Sequence, residues 1–398
     1  MELEKEAYNL LLANRRITAG RLYTIPSPTR YPYQWLWDSC FHAITMRYFE
    51  LGAAKEELVS LTLHQFPNGN IPHMVYWERG NYWAHLKWGT DATSSMTQPP
   101  VFATAVRKVY DEKPDQDFLK NVFSTLERFH KYLLTYRTPE KNLLSIINPD
   151  ESGEDNSPRF DTALGFKKIP TSSEQVKKRR ILMARYKELN FDDKEFFKKY
   201  FDVIDLPFNA IFVKALEDFI YLAKEMKENK IANEYEKHKA NVEKAMRKKL
   251  FDDGLYWSYD NRAKKLIKIK SYSKFMPLYA GLLSKAEAKK LIEKELLNTK
   301  TFWLKYPVPT ISAKEPSFRP IAYWRGPVWI STNWFIFQGL LRYGYDDLAT
   351  QLANKTAELI EKSGFREYYS PVDGRGGGTT QFGWSTLVVD MLRSKKVE

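Results

Sequence analysis

An all-helical frame carrying long loops is what the sequence predicts, on three observations. Apolar residues recur at intervals of three and four along most of the chain; strand-like alternation is scarce; and the intervening segments are long and rich in Pro, Gly, Asn and aromatic residues. With 398 residues, 43% hydrophobic and 15% aromatic, the chain can bury a large core, as one big domain or two ordinary ones.

Helical periodicity covers 3–15, 39–64, 100–110, 117–135, 207–227, 231–250, 284–297, 330–343, 346–362 and 382–393. Two extended pieces, "GLYWSYD" and "KLIKIK", are short, and Gly254 and "DNRAKK" supply hairpin turns for them. The connections 20–37, 66–100, 145–180, 300–328 and 364–381 exceed the roughly fifteen residues beyond which loops in compact domains are usually functional. Together they predict a binding surface at one end of the frame.

Composition narrows the function classes. A single cysteine, Cys40, excludes a disulfide framework, and "MELEKEAYNLLLANRR" has no uninterrupted apolar stretch of the kind a secretory signal needs. No window approaches eighteen consecutive apolar residues, so a cytoplasmic protein without a membrane span is expected. The net charge of +13 raises the question of nucleic acid. The basic residues, however, alternate with glutamates, as in "ANEYEKHKANVEKAMRKKL", and no nucleic-acid-binding signature accompanies them. The one dense cluster is Lys177, Lys178, Arg179 and Arg180.

The long loops hold most of the aromatic residues: Tyr31, Tyr33, Trp35 and Trp37 in the first, Tyr76, Trp77, Tyr82, Trp83 and Trp88 in the second, and Trp303, Tyr306, Tyr323, Trp324 and Trp329 in or beside the fourth. A hydrated loop gains little from exposing tryptophan, so these rings are expected to line a shared cleft. Rings with polar neighbours suit sugars, which offer C–H faces for stacking and hydroxyl edges for hydrogen bonds. Asp38, Gln98, Arg325 and Asn333 are such neighbours. Asp38 reads equally as a helix N-cap and as a ligand. Arg325, flanked by aromatics, reads as a buried loop brace or an anion contact.

Cleaving a glycosidic bond takes two carboxyl groups, one to protonate the leaving oxygen and one to activate water or attack the anomeric carbon. The acidic stretch "NPDESGEDNSPRFD" offers Glu151, Glu154, Asp155 and Asp161, and "GFREYYSPVDGRGGGTTQFGW" offers Glu367 and Asp373. The first lacks EF-hand spacing, and the glycine run of the second lacks the Gly-Lys-Ser/Thr ending of a phosphate loop. The histidines show no metal-ligand spacing and read as structural or surface groups, so neither metal nor cofactor is expected.

The segment "ESGEDNSPRF" resembles the Glu-Ser-Gly-x-Asp segment of trehalases and other clan-G glycosidases, and "FREYYSPVDGRGGGTTQFGWST" resembles their C-terminal signature. "QWLWDSCFHAI", "MTQPPVFATAV", "DLPFNAIFVKAL" and "YWRGPVWISTNWF" are similar to bacterial and archaeal family 63 glycoside hydrolases, in particular those acting on mannosylglycerate and glucosylglycerate. The resemblance runs in order from about residue 30 to 390. It implies a single (α/α)6 barrel over 1–398 with a lid or insertion around 160–200, an inverting mechanism and a small α-linked hexosyl substrate. Asp155 takes the place of the general acid and Glu367 that of the general base. Tyr33, Trp35, Trp37, Asp38, Gln98, Trp324, Arg325 and Trp384 become the expected substrate contacts. Glu154, next to the acid, is expected to raise its pKa, and "FKKIPTSSEQVKKRR" is expected as a loop whose Lys177, Lys178, Arg179 and Arg180 meet an anionic leaving group, or as an ordinary solvated insertion. The expected partner is a small sugar, with no nucleic acid and no membrane. An α-glucosidase or trehalase-like hydrolase of neutral sugars is the alternative, and a non-catalytic carbohydrate or nucleic-acid binder lies outside it.

Overall fold

The computed structural model describes residues 2–77, 89 and 92–394; Tyr82, Trp83 and Trp88 lie outside the described residues. It is helix-rich, and how many sides of a helix are apolar decides where that helix sits. Every residue of Leu36–Met46 is buried, as are nearly all of Ile330–Arg342 and most of Leu206–Glu225. Helices apolar all round must be enclosed by others. By contrast Asn229–Leu250 buries only Ala232, Tyr235, Val242, Met246 and Leu250, a single stripe, and covers Leu206–Glu225 from outside.

The enclosed segments touch in sequence. Leu36–Met46 packs on Phe102–Glu112, which packs on Leu206–Glu225, then Met276–Ala280, then Ile330–Arg342. That helix meets the 3-10 helix Gly383–Leu387, which returns to Leu36–Met46. Leu51–Thr62, Gln116–Tyr136 and Asp346–Ser363 pack on the outside of this cycle. Among the described residues no helix is long and apolar enough to cross a membrane.

Three expectations change. The periodic stretch 39–64 is two helices, Leu36–Met46 and Leu51–Thr62, because the chain reverses where Arg47 turns inward to Asp390 at 2.6 Å. The frame is also not purely helical. The Gly254 and "DNRAKK" hairpins form, and Ser145–Ile146 and Val203–Ile204 join Ser258–Asp260 and Lys265–Ile267 in a four-stranded antiparallel sheet. Arg15–Thr18 pairs with Arg21–Thr24, and Arg366–Tyr369 with Gly376–Thr380. Strands of two to five residues are too short to carry a legible alternation.

The third change concerns the basic segment, which is a helix, Ser172–Glu188, and not a loop. Thr171 and Glu174 close a capping box at its start. Its inward positions Gln175, Arg179, Met183 and Tyr186 recur at helical spacing. Two of those four are polar, which hides the stripe from a hydrophobic reading.

Candidate active site

Glu367 lies on the strand Arg366–Tyr369, where the pairing with Gly376–Thr380 slips register between Arg366 and Tyr368. Such a bulge re-aims the side chain it carries. The Glu367 carboxylate is buried and doubly held: Tyr31 O–H donates to Oε1 at 2.6 Å and the Thr379 N–H donates to Oε2 at 2.9 Å. Gly378, at φ +68°, makes this fit possible, since a Cβ there would stand 2.3 Å from Glu367 Oε2. Burial raises the Glu367 pKa, opposed first by the Tyr31 hydrogen bond, and the charge of Asp155 raises it further.

Asp155 follows a 3-10 turn, Pro149–Ser152, whose Asn148 side chain accepts the Asp150 N–H. Gly153 ends that turn at φ +74°, and the Trp37 indole packs where its Cβ would be, at 2.3 Å. Asp155 Oδ2 pairs with Arg179 Nη1 at 3.2 Å, and the same nitrogen pairs more closely with Asp150 Oδ1. Burial raises the pKa of Asp155, opposed by Arg179, and pushes Asp150 up to about 7. Glu154 has no part in this. It turns away to Arg159 at 2.6 Å and the Tyr272 hydroxyl at 2.8 Å, so burial and not Glu154 raises Asp155.

Both carboxylates open onto one pocket of about 480 Å³, with Asp38, Asp150, Gln98 and His73 as further polar lining. Its apolar lining includes Trp35, Trp37, Phe382 and Trp384, with Tyr31 and Tyr323 alongside. Trp37 and Trp384 meet edge to face at 5.1 Å, Phe382 and Trp384 at 4.8 Å, and Tyr31 and Trp35 at 5.5 Å. Edge-to-face pairs of this kind add to the packing of the wall beyond the area they bury. Asp38 is a wall residue and not an N-cap, because Trp35 occupies the cap position and Gln98 Oε1 accepts the Trp37 N–H at 3.2 Å. Burial pushes Asp38 well above the usual carboxylate range.

Other expected contacts stand elsewhere. Tyr33 packs in a small cluster with Met74 and Tyr76 behind Trp35. Trp324 is buried and stacked on Trp329 at 3.8 Å, one layer behind Trp37 and Trp384, and its main-chain N–H donates to Asn156 Oδ1. Arg325 is the loop brace, paired with Asp161 at 2.6 Å. Asn333 ties Pro307 and Val308 to its helix, and Glu151 accepts from the main chain of Thr97 and Ile147. Lys177, Lys178 and Arg180 are on the outer side of their helix, because the 100° step per residue that turns Arg179 inward turns its neighbours out. Asp373 is exposed as well.

Five lining residues escaped the sequence reading as site residues: Pro26, His73, Asp150, Gly153 and Phe382. His73, read from sequence as structural or surface, has its pKa lowered to about 3 by burial and shares a hydrogen bond with Ser94.

Residues 31–385 match the model of the mannosylglycerate hydrolase MGH1-like glycoside hydrolase domain. The mannosylglycerate hydrolase of Thermus thermophilus is 34% identical over 92% of this chain and 95% of its own length. The glucosylglycerate hydrolase of Mycolicibacterium hassiacum is 28% identical over 92% of this chain and 93% of its own. The crystal structure of a GH63 mannosylglycerate hydrolase from Thermus thermophilus with Tris and D-glycerate superposes with a TM-score of 0.89, at 33% identity, covering 98% of this chain and all of that one. The chain belongs to the mannosylglycerate hydrolase MGH1-like family of glycoside hydrolases.

Proposed function

We propose that this glycosidase hydrolyses a small α-linked hexosyl glycerate, mannosylglycerate or glucosylglycerate, with inversion, and that its closed helical cycle with outer helices is a single (α/α)6 barrel. The observation that carries the reading is the convergence of Asp155 and Glu367, from segments far apart in the chain, on one aromatic-walled pocket. Asp155, protonated, gives its proton to the glycosidic oxygen as that bond breaks. Glu367, ionised, takes a proton from the water that attacks the anomeric carbon from the opposite face.

The environments suit these roles. Asp155 is buried, which favours its protonated form against the pull of Arg179. Glu367 receives two donors, and both stabilise its ionised form. Asp38 and Gln98 line the pocket beside Trp37 and Trp384, which supports a role in binding sugar hydroxyls. Arg179 supplies positive charge beside the acid, where an anionic aglycone leaves. The relatives named for glycerate glycosides, one of them with D-glycerate bound, support the substrate class.

The test is turnover of mannosylglycerate and glucosylglycerate against trehalose, with Asp155→Asn and Glu367→Gln beside the wild type. Loss of turnover in both variants with unchanged thermal stability is expected. Wild-type rates in either variant, or preference for trehalose, would overturn the reading.

A further inference from the structure

One carboxylate in the pocket has no task in the reaction above. Asp150 is buried on the turn Pro149–Ser152, its N–H is held by Asn148 at 3.2 Å, and its Oδ1 takes the closer contact with Arg179 Nη1. Its other oxygen, Oδ2, is buried without a hydrogen-bond partner among the described residues. Arg179 cannot easily favour the other carboxyl group, because Asn148 Nδ2 donates to its main-chain oxygen at 3.0 Å and ties helix Ser172–Glu188 to the same turn. One guanidinium therefore serves two carboxyls that both face the pocket.

An arginine facing a single carboxylate holds it ionised, the wrong state for a group that must donate a proton near neutral pH. We propose that Asp150 is a positioning residue for the general acid: it takes the near side of Arg179 and leaves Asp155 the far side, free to carry the proton the leaving oxygen receives. This rests on Asp155 being the acid. Arg30 also opposes protonation of Asp155, and the charge of Asp155 in turn raises Glu367 and Tyr323, which line the same pocket. Burial raises both aspartates, Arg179 opposes both, and the charge of Asp155 raises Asp150 further, so the two titrate as a pair.

The experiment is the pH profile of kcat/KM on mannosylglycerate for the wild type, Asp150→Asn and Arg179→Gln, with Asp155→Asn alongside. In Asp150→Asn the whole guanidinium falls on Asp155, so the basic limb should move down by about one pH unit. In Arg179→Gln the two carboxyls face each other without a cation, so the limb should move up. Opposite shifts from the two ends of one ion pair do not arise from lost packing, which lowers the rate at every pH. Limbs that stay put, or move together, would overturn the proposal while leaving the acid in place. Full turnover by Asp155→Asn would overturn the acid assignment and the proposal with it. Should Asp150→Asn not fold, Asp150→Glu carries the comparison: it should keep the wild-type limb while Arg179→Gln raises it, and an unmoved Arg179→Gln limb would overturn the proposal.

Discussion

Replacing Gly378 by alanine tests how Glu367 is held. The residue sits at φ +68°, a left-handed conformation that costs a non-glycine residue about 1–2 kcal/mol. Its new Cβ would stand 2.3 Å from Glu367 Oε2, about 1 Å inside ordinary contact near 3.4 Å, so one of the two must move by that amount. The strand cannot easily give way, because the Thr379 N–H is the donor that fixes Oε2. The carboxylate therefore swings off its Tyr31 and Thr379 partners. A misplacement of about 1 Å costs on the order of 100-fold in rate. Alanine should lower kcat on mannosylglycerate by about that factor, leave KM nearly unchanged, and lower the thermal midpoint by the amount the strain implies. Steady-state kinetics and a melting curve measure both. Full kcat in a folded Gly378→Ala protein would refute the idea that this glycine positions the base.

Further predictions follow from the same contacts. Tyr31→Phe removes the donor that most strongly holds the Glu367 pKa down, so the acidic limb of kcat/KM should move to higher pH; an unmoved limb would count against Glu367 as the base. Glu57 is buried, and burial pushes its pKa up to about 7 from an ordinary 4.5 against the Ser39 hydrogen bond. Between those values the unfolded chain releases a proton that the folded one keeps, so folding stability falls as pH rises through the window. Glu57→Gln should thus gain on the wild type by up to about 3 kcal/mol from pH 4 to pH 8, read from melting temperatures at each pH. The triple change Lys177→Ala, Lys178→Ala, Arg180→Ala should leave kcat and KM within about two-fold, since those side chains point outward; a large rise in KM would restore them as anion contacts.

Much of the frame was legible because inner and outer helices differ in how many of their sides are apolar, as "LWDSCFHAITM" and "NKIANEYEKHKANVEKAMRKKL" show. The acidic and glycine-rich motifs also marked the pocket, since Gly153 and Gly378 are the positions where a Cβ would strike Trp37 and Glu367. What stayed hidden was direction. Nothing in the order Trp35, Trp37 and Tyr33 tells which ring lines the pocket and which packs behind it, because that depends on the pairing of Gln34 and Trp35 with Met74 and Val75. Arg179 was grouped with its outward-facing neighbours because its helix buries polar groups, and only the fold reveals the carboxylates they meet. Trp324 and Arg325 belong to the layer supporting the wall, a distinction no linear motif records.

The configuration of the sugar at the instant of release tests the central claim most directly. Proton NMR of a fresh reaction on α-mannosylglycerate should show the β anomer first, with the α anomer appearing only by mutarotation, as attack of a Glu367-activated water opposite the Asp155-protonated oxygen requires. The α anomer appearing first would mean a covalent intermediate and would contradict the assignment of these two carboxylates as acid and base.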